Sequence, residues 1–292
     1  MSNATTYEQV DNDDSILFFA ETNNCSIIKT LIEGIKEFSA TMDIYLTDQS
    51  MHINVISKLD GSHIQCTLEA DKFNHYKLNF DGMSSYGTLK NKDGTLFKKM
   101  KRLIVETSPL QRLFKNVKSQ NKIRFLLVKG DEMRFKIDLI NESLQNGVRF
   151  HIQLLKPEMT DPGFLSKTTF QHVISLTTAN LKEKVGHIKS VVGATYVNIT
   201  YNGKMLIFSS KGDMSEIQSI EQQIQSKNTN EQSLMSPCVK GINLGCLNGI
   251  VKFSNISTRV EMHMDDKQPM LFSFDMADFG RLIVVPAQML ER

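Results

Sequence analysis

Hydrophobic and polar positions repeat along this chain with two different periods. Over residues 26–38 the period is helical: Ile27, Ile28, Leu31, Ile35 and Phe38 share one broad stripe. Lys29 and Lys36, seven residues apart, stack on the opposite face. Ser26 stands where a hydroxyl caps a first turn. Such a helix packs its apolar side on something flat and turns two ammonium groups elsewhere. Around it the period is two. Residues 16–21 read as a strand, 42–46 and 52–57 as a hairpin around 47–50, and 63–69 and 73–80 as further strands. Residues 81–101, with Gly82, Gly87, Gly94 and many lysines, break the pattern and read as a long hairpin loop or insertion before a strand at 103–106.

A second helix is predicted from Ser108-Pro109, serine at the cap and proline in the first turn. Leu110, Leu113, Phe114 and Val117 form its stripe, and Arg112, Lys115 and Lys118 run down one flank. Residues 122–128 and 133–140 form a hairpin around Lys129-Gly130-Asp131, and 148–155 a further strand. Residues 156–167 are a linker that carries apolar Met159, Phe164 and Leu165.

After the linker the order repeats. A strand at 170–176 leads to a helix capped by Thr177-Thr178, with Leu181, Val185, Ile188 and Val192 on one side and Lys182 and Lys189 on a flank. Residues 196–200 and 204–209 form a hairpin across Asn202-Gly203. The polar stretch 211–240 reads as loops holding a strand or two. A fourth helix at 243–254 contains Gly245 and Gly249, with Lys252 its only cation. A hairpin over 260–264 and 270–275 and a strand at 282–285 close the chain. This duplication predicts an α+β fold with antiparallel sheets and too few helices to cover both sides of them. The helices therefore line one face, the face that carries the lysines. The predicted boundaries are a disordered tail 1–14, an N-terminal domain 15–155 with the insertion at 81–101, a connector 156–167 and a C-terminal domain 168–292.

Composition narrows the classes. A length of 292 residues suits two cores better than one, and 40% apolar with 23% charged residues is ordinary for globular chains. No apolar run reaches the ~18 residues of a membrane-spanning helix. The polar, acidic start, with Asp11, Asp13 and Asp14, is no secretory signal. Cys25, Cys66, Cys238 and Cys246 are scattered, lack metal-ligand spacing and suit a reducing compartment. Neither metal nor cofactor is expected. With a net charge of +2, any nucleic-acid surface is a local patch. No GxxxxGK[ST], HExxH, CxxC or GxSxG occurs, and His63 after Ser62 has no third partner at a suggestive spacing. An enzyme on a two-domain α+β scaffold is the competing class, and the missing motifs weigh against it. The basic run 97–102 is read by default as a solvated hairpin end, with an import signal and an extra DNA contact as the other readings, and is left unassigned.

Several stretches resemble the proliferating cell nuclear antigen family of sliding clamps. SIIKTLIEGIK (26–36), LDGSHI (59–64) and FNHYK (73–77) are similar to the family's first helix, its Asp-Ser-Ser-His-Val-like turn and strand, and its Phe-x-x-Tyr strand. PMLFSFDMADFGRLIVVPAQM (269–289) is similar to the closing strands and the Ala-Pro-Lys-Ile-like tail. The insertion at 81–101, a short linker without the family's acidic run, and a fourth helix poor in cations depart from the pattern and suggest a divergent or viral member. The resemblance implies a DNA-clamp fold: two topologically similar domains, sheets outside, helices lining an inner face, joined head to tail as a homotrimer. By element order, 148–154 form one joining edge and 205–210 the other.

The function implied is a processivity factor that encircles double-stranded DNA. It would recruit DNA polymerase, other proteins with a clamp-binding motif and a clamp loader, in the nucleus or a viral replication compartment. The alternative is a clamp-fold processivity or checkpoint subunit acting as a monomer, a dimer or part of a heterotrimer. A clamp touches phosphates without reading bases. The candidates are Lys29, Lys36, Arg112, Lys115, Lys118, Lys182, Lys189 and Lys252. Positions 29, 36 and 252 match commonly basic family positions, and the others rest on helix geometry. Glu33, within a turn of Lys29 and Lys36, offsets them. The partner-peptide pocket that the family implies comprises Leu59, His63, Ile64, Pro269, Val284, Pro286 and Ala287, with Met159, Phe164 and Leu165 from the linker. For Ile64 and Val284, core packing is an equal reading.

Overall fold

The computed structural model describes residues 15–85, 87–90, 96–141, 143–156, 169–222, 225–228 and 237–288. The predicted tail, most of the connector, and Met159, Phe164 and Leu165 lie outside these residues. The N-terminal half runs β1 (Ile16–Thr22), α1 (Cys25–Ile35), β2 (Thr41–Leu46), β3 (Ser50–Ile56), β4 (His63–Glu69), β5 (His75–Leu78), β6 (Gly87–Lys90), β7 (Leu96–Glu106), α2 (Thr107–Phe114), β8 (Lys122–Val128), β9 (Arg134–Asn141) and β10 (Asn146–Gln153). The C-terminal half runs β11 (His172–Thr177), α3 (Thr178–Lys189), β12 (Tyr196–Tyr201), β13 (Leu206–Lys211), β14 (Glu216–Glu221), β15 (Gln225–Asn228), β16 (Cys238–Asn243), α4 (Leu244–Val251), β17 (Arg259–Asp265), β18 (Gln268–Asp275) and β19 (Gly280–Val285). Leaving out β6, the two halves match element for element.

The sheets repeat the same match. The N-terminal half forms a five-stranded sheet, β10-β9-β8-β1-β5, and the C-terminal half a four-stranded one, β14-β13-β12-β16. The third sheet takes five strands from each half, in the order β15-β11-β17-β18-β19-β4-β3-β2-β7-β6. Its middle joint is antiparallel, with Val284 of β19 opposite Ile64 of β4. β19 is the repeat equivalent of β10, and β4 of β14. Inside the chain these two equivalents pair; β10 and β14 themselves are the outer edges of their sheets.

The helices form where the apolar stripe predicts, but their ends differ. α3 ends at Lys189, which leaves the predicted stripe residue Val192 beyond the helix and 74% exposed. Ile28, Leu31, Ile32 and Ile35 of α1 are buried in the one large core cluster that spans both halves. Its N-cap is Asn24, and Ser26 lies exposed inside the first turn, because Cys25 already has helical backbone. α2 starts one residue before Ser108, directly from β7. Its Thr107 hydroxyl donates to the Ser39 carbonyl at 2.8 Å and anchors the first turn to the end of the α1 segment. Thr178 repeats this at the start of α3, donating to Ser257 O at 2.9 Å. The predicted cap holds at Thr177, whose hydroxyl accepts from Asn180 N at 3.1 Å; Asn243, where the sequence starts the fourth helix, is instead its cap and accepts from Gly245 N at 2.8 Å. α4 ends at Val251, and residues 252–255 tighten into a 3-10 turn.

Two segments are more ordered than the sequence suggests. The insertion supplies β6, which pairs with the first part of an 11-residue β7. Lys101 in β7 is buried; its ammonium meets Glu132 Oε2 at 2.7 Å and Ser85 O at 2.8 Å. Arg102 pairs with Asp43 at 2.8 Å and lies over the Tyr45 ring. Lys101 and Arg102 of the basic run 97–102, which the sequence leaves unassigned, are thus engaged within the fold. In the polar stretch 211–240, β14, β15 and the start of β16 are strands.

Candidate functional site

The helices place the predicted cations unequally. Lys29 is half-buried, and its ammonium donates to Lys115 O at 2.8 Å and Val117 O at 3.4 Å. It serves carbonyls that α2 leaves unpaired at its C-terminus. Lys36 is exposed and donates to Gln111 Oε1. Lys252 is exposed and pairs with Glu37 at 2.6 Å. The sequence makes Glu33 the offsetting acid; the ion pair that the fold forms on this face is Glu37 with Lys252. Lys182 and Lys189 project from α3, and Arg112 from α2, all exposed. Lys115 caps α2, so Lys118 lies in the turn beyond the helix rather than on its flank; Val117 N bonds Phe114 O at 3.1 Å there. Lys184, overlooked by the stripe argument, is buried, donating to Ile220 O at 2.9 Å and facing Glu221 at 3.5 Å. Its role is to hold α3 on β14.

A second surface gathers around the β3–β4 turn and the C-terminal segment. Asp60 Oδ1 accepts from Ser62 N at 3.0 Å. Burial pushes the Asp60 carboxyl up, and the bonds from Ser57 and Ser62 more than reverse this, so it lies below its usual 3.8. The Ser62 hydroxyl accepts from Ala287 N at 3.1 Å and meets Cys246 Sγ at 3.2 Å, tying the turn, the C-terminal segment and α4 together. Leu59 stands at the tip, 92% exposed, and Pro269 is exposed at the start of β18. His63 is half-buried, bonds Asn54 and sits opposite Val285; burial lowers its pKa, so it is neutral at neutral pH. Ile64 and Val284 are both 0% exposed and belong to the core. They are corrected from pocket to core positions: alternation along β4 and β19 turns them toward the helices. Pro286 is buried and Ala287 half-buried. The same alternation turns Ile56, Ile283 and Val285 outward, and Ile56 is 56% exposed. The period of two in 282–285 carried that signal, had its phase been known.

The third feature is a pair of edges. β10 is the edge of its sheet, as predicted. The other predicted edge, 205–210, is corrected: β13 there is flanked by β12 and β14, and β14 is the edge. A cavity of about 580 Å³ lies between α2 and β10, lined by Leu113, Val148 and Phe150 with Arg112 and Lys118 at its margin. Val148 is 55% and Phe150 36% exposed, and Ile220 on β14 45%.

All four cysteines are buried. Burial pushes the Cys25 and Cys246 thiols up to about 11 and Cys238 to about 12. Among the described residues no group of three or more His, Cys, Asp or Glu is placed to hold a metal, and no helix is long and apolar enough to cross a membrane.

Comparisons with known proteins agree with this geometry. Residues 165–289 match the sequence model for proliferating cell nuclear antigen, C-terminal domain. Among solved structures, the crystal structure of proliferating cellular nuclear antigen from Entamoeba histolytica is similar, with a TM-score of 0.77 at 13% identity over 94% of this chain and 100% of that one. No curated protein matches the sequence at a significant level. The C-terminal part of the chain thus carries the sequence pattern of the proliferating cell nuclear antigen C-terminal domain, and nearly the whole chain shares the fold of that clamp.

Proposed function

We propose that this chain is the subunit of a ring that encircles duplex DNA and holds a DNA polymerase to its template. The observation that carries the reading is the repeat. β19 pairs with β4 inside the chain, and their equivalents β10 and β14 are edges. A second copy that joins β10 to β14 repeats the internal joint, buries the apolar edge of the cavity beside Val148 and Phe150, and closes by rotation. Three copies is the number that the family resemblance implies. Helices α1 to α4 then share one face, with Lys36, Lys182, Lys189 and Lys252 toward phosphates. The exposed Leu59 and Pro269 are the starting points for a pocket that takes the clamp-binding motif of polymerase, loader or repair proteins. The role is that of a scaffold, not a catalyst, acting in the nucleus or in a viral replication compartment.

Gel filtration with light scattering tests the assembly, and retention on duplexes with free or blocked ends tests encirclement. The expected result is a species near three chain masses that slides off free ends and stays on blocked ones. A monomer or dimer under the same conditions would favour the clamp-fold subunit that does not form its own ring.

A further inference from the structure

A row of alternating charges crosses the outer face of the N-terminal sheet. Glu21 on β1 faces Arg124 on β8, Arg124 faces Asp138 on β9, and Asp138 faces Arg149 on β10. Arg124 Nε donates to Glu21 Oε2 at 2.5 Å, and Arg149 donates to both Asp138 oxygens at 2.7 and 2.8 Å. Glu21 and Asp138 are 3% and 2% exposed, so these are held, desolvated carboxylates rather than solvated surface charges. The row ends at the sheet edge on Arg149, whose side chain is 52% exposed. Val148 and Phe150 turn into the cavity beside α2, which puts Arg149 on the face away from the helices.

On the other edge the same face carries an acid. Ser219 and Glu221 of β14 meet His187 and Lys184 of α3, so the alternate positions point outward. Glu216 is one of these, exposed, with Lys211 of β13 opposite it. We infer that Glu216 of one copy continues the row of the next, so that Lys211, Glu216, Arg149, Asp138, Arg124 and Glu21 alternate in sign across the joint. This rests on the ring reading above. The internal β19–β4 joint makes the pairing antiparallel, which sets Glu216 opposite or diagonal to Arg149, both within cross-strand reach.

The row selects the partner and the register more than it adds affinity, since one half-exposed pair is weak. A one-residue slip moves Glu216 to the face away from Arg149. Two β10 edges brought together would set Arg149 against Arg149. The internal joint, which never has to choose a partner, sets Ile283 against Gln65 and Val285 against His63 at corresponding outward positions.

The test is assembly of the full chain followed by light scattering over a concentration and salt series. Glu216→Arg is expected to weaken assembly about tenfold or more at low salt, with the loss shrinking as salt rises. Glu216→Gln should weaken it less. Arg149→Gln should abolish most of the further effect of Glu216→Gln, the mark of two groups that interact. If Arg149→Gln fails to fold because Asp138 loses its fork, the Glu216 variants decide alone. Assembly of Glu216→Arg as tight as that of the unaltered chain at low salt would overturn the inference. An unaltered chain that stays monomeric would overturn the ring reading instead.

Discussion

Gly34 of α1 lies so close to Phe253 that a methyl group on it would stand 2.1 Å from the Phe253 Cε1 atom. The contact has a counterpart: a methyl on Gly249 of α4 would stand 2.7 Å from Phe38. The two phenyl rings stack between the helices with centroids 6.2 Å apart. Each helix thus offers a glycine to the aromatic residue four positions after the other's glycine. This is how the two halves meet on the helix side, below the β4–β19 joint.

Gly34→Ala is expected to destabilise the chain. Alanine favours a helix over glycine by about 1 kcal/mol. Phe253 is 0% exposed and packed against Phe274 as well, so it has nowhere to move. Overpacking of this kind costs about 1–3 kcal/mol, and the net effect should be a loss. Denaturant unfolding checks it, with Gly34→Ala plus Phe253→Leu expected to recover part of the loss. A Gly34→Ala chain more stable than its parent would mean that the helices slide apart freely.

On DNA, Lys182→Ala with Lys189→Ala is the cleaner test of the helix face, because both side chains are exposed at α3. Lys29 is not: its removal also strips Lys115 O and Val117 O of a donor. Each lost phosphate contact should lower the slope of log affinity against log salt by about 0.9. Scrambling the duplex sequence should leave the slope unchanged. Equal slopes for parent and double variant would place the DNA elsewhere.

Glu132→Gln should loosen the base of the β6–β7 ribbon. The Lys101 and Glu132 side chains are 8% and 12% exposed, and removing one partner leaves a buried ammonium uncompensated, a loss of about 3 kcal/mol. Burial raises the Glu132 carboxyl, but bonds from Lys101 and Ser84 lower it further, to below its usual 4.5. A folded value below the unfolded one adds stability that is complete above about 4.5 and disappears as the pH falls through the folded value. Stability of the parent minus that of Glu132→Gln should therefore shrink on acidification. A difference that grows toward low pH would have the sign wrong.

For partner recruitment, Leu59→Ala should weaken a bound clamp-motif peptide by about 1–3 kcal/mol without altering assembly, because the side chain is 92% exposed. Pro286→Ala and Val284→Ala should instead lower stability, both residues being buried. Calorimetry separates the two effects. Unchanged affinity in Leu59→Ala would move the pocket away from this turn.

Most helices and hairpins were legible because their signal is local. The stripe of Ile28, Leu31 and Ile35, the Asn202-Gly203 turn and the Thr177 cap each act within a few residues of where they are read. Element order exposed the duplication, and a few motifs near the two ends carried the family resemblance. β14 escaped because its outward positions, Glu216 and Gln218, face water in the single chain, and an edge strand with one wet face looks like a loop. Ile64 and Val284 escaped because period two fixes an alternation but not which of its two phases faces the core. The lysines escaped because each is a four-carbon stem whose end is settled by what another segment brings near: Lys115 O for Lys29, Glu37 for Lys252, Ser85 and Glu132 for Lys101. The sequence by itself determined the elements and their repeat, since those depend on neighbours along the chain. Only the tertiary structure decided which edges stay open and which cations are already engaged, since both depend on segments up to about two hundred residues apart that meet only in the packed fold.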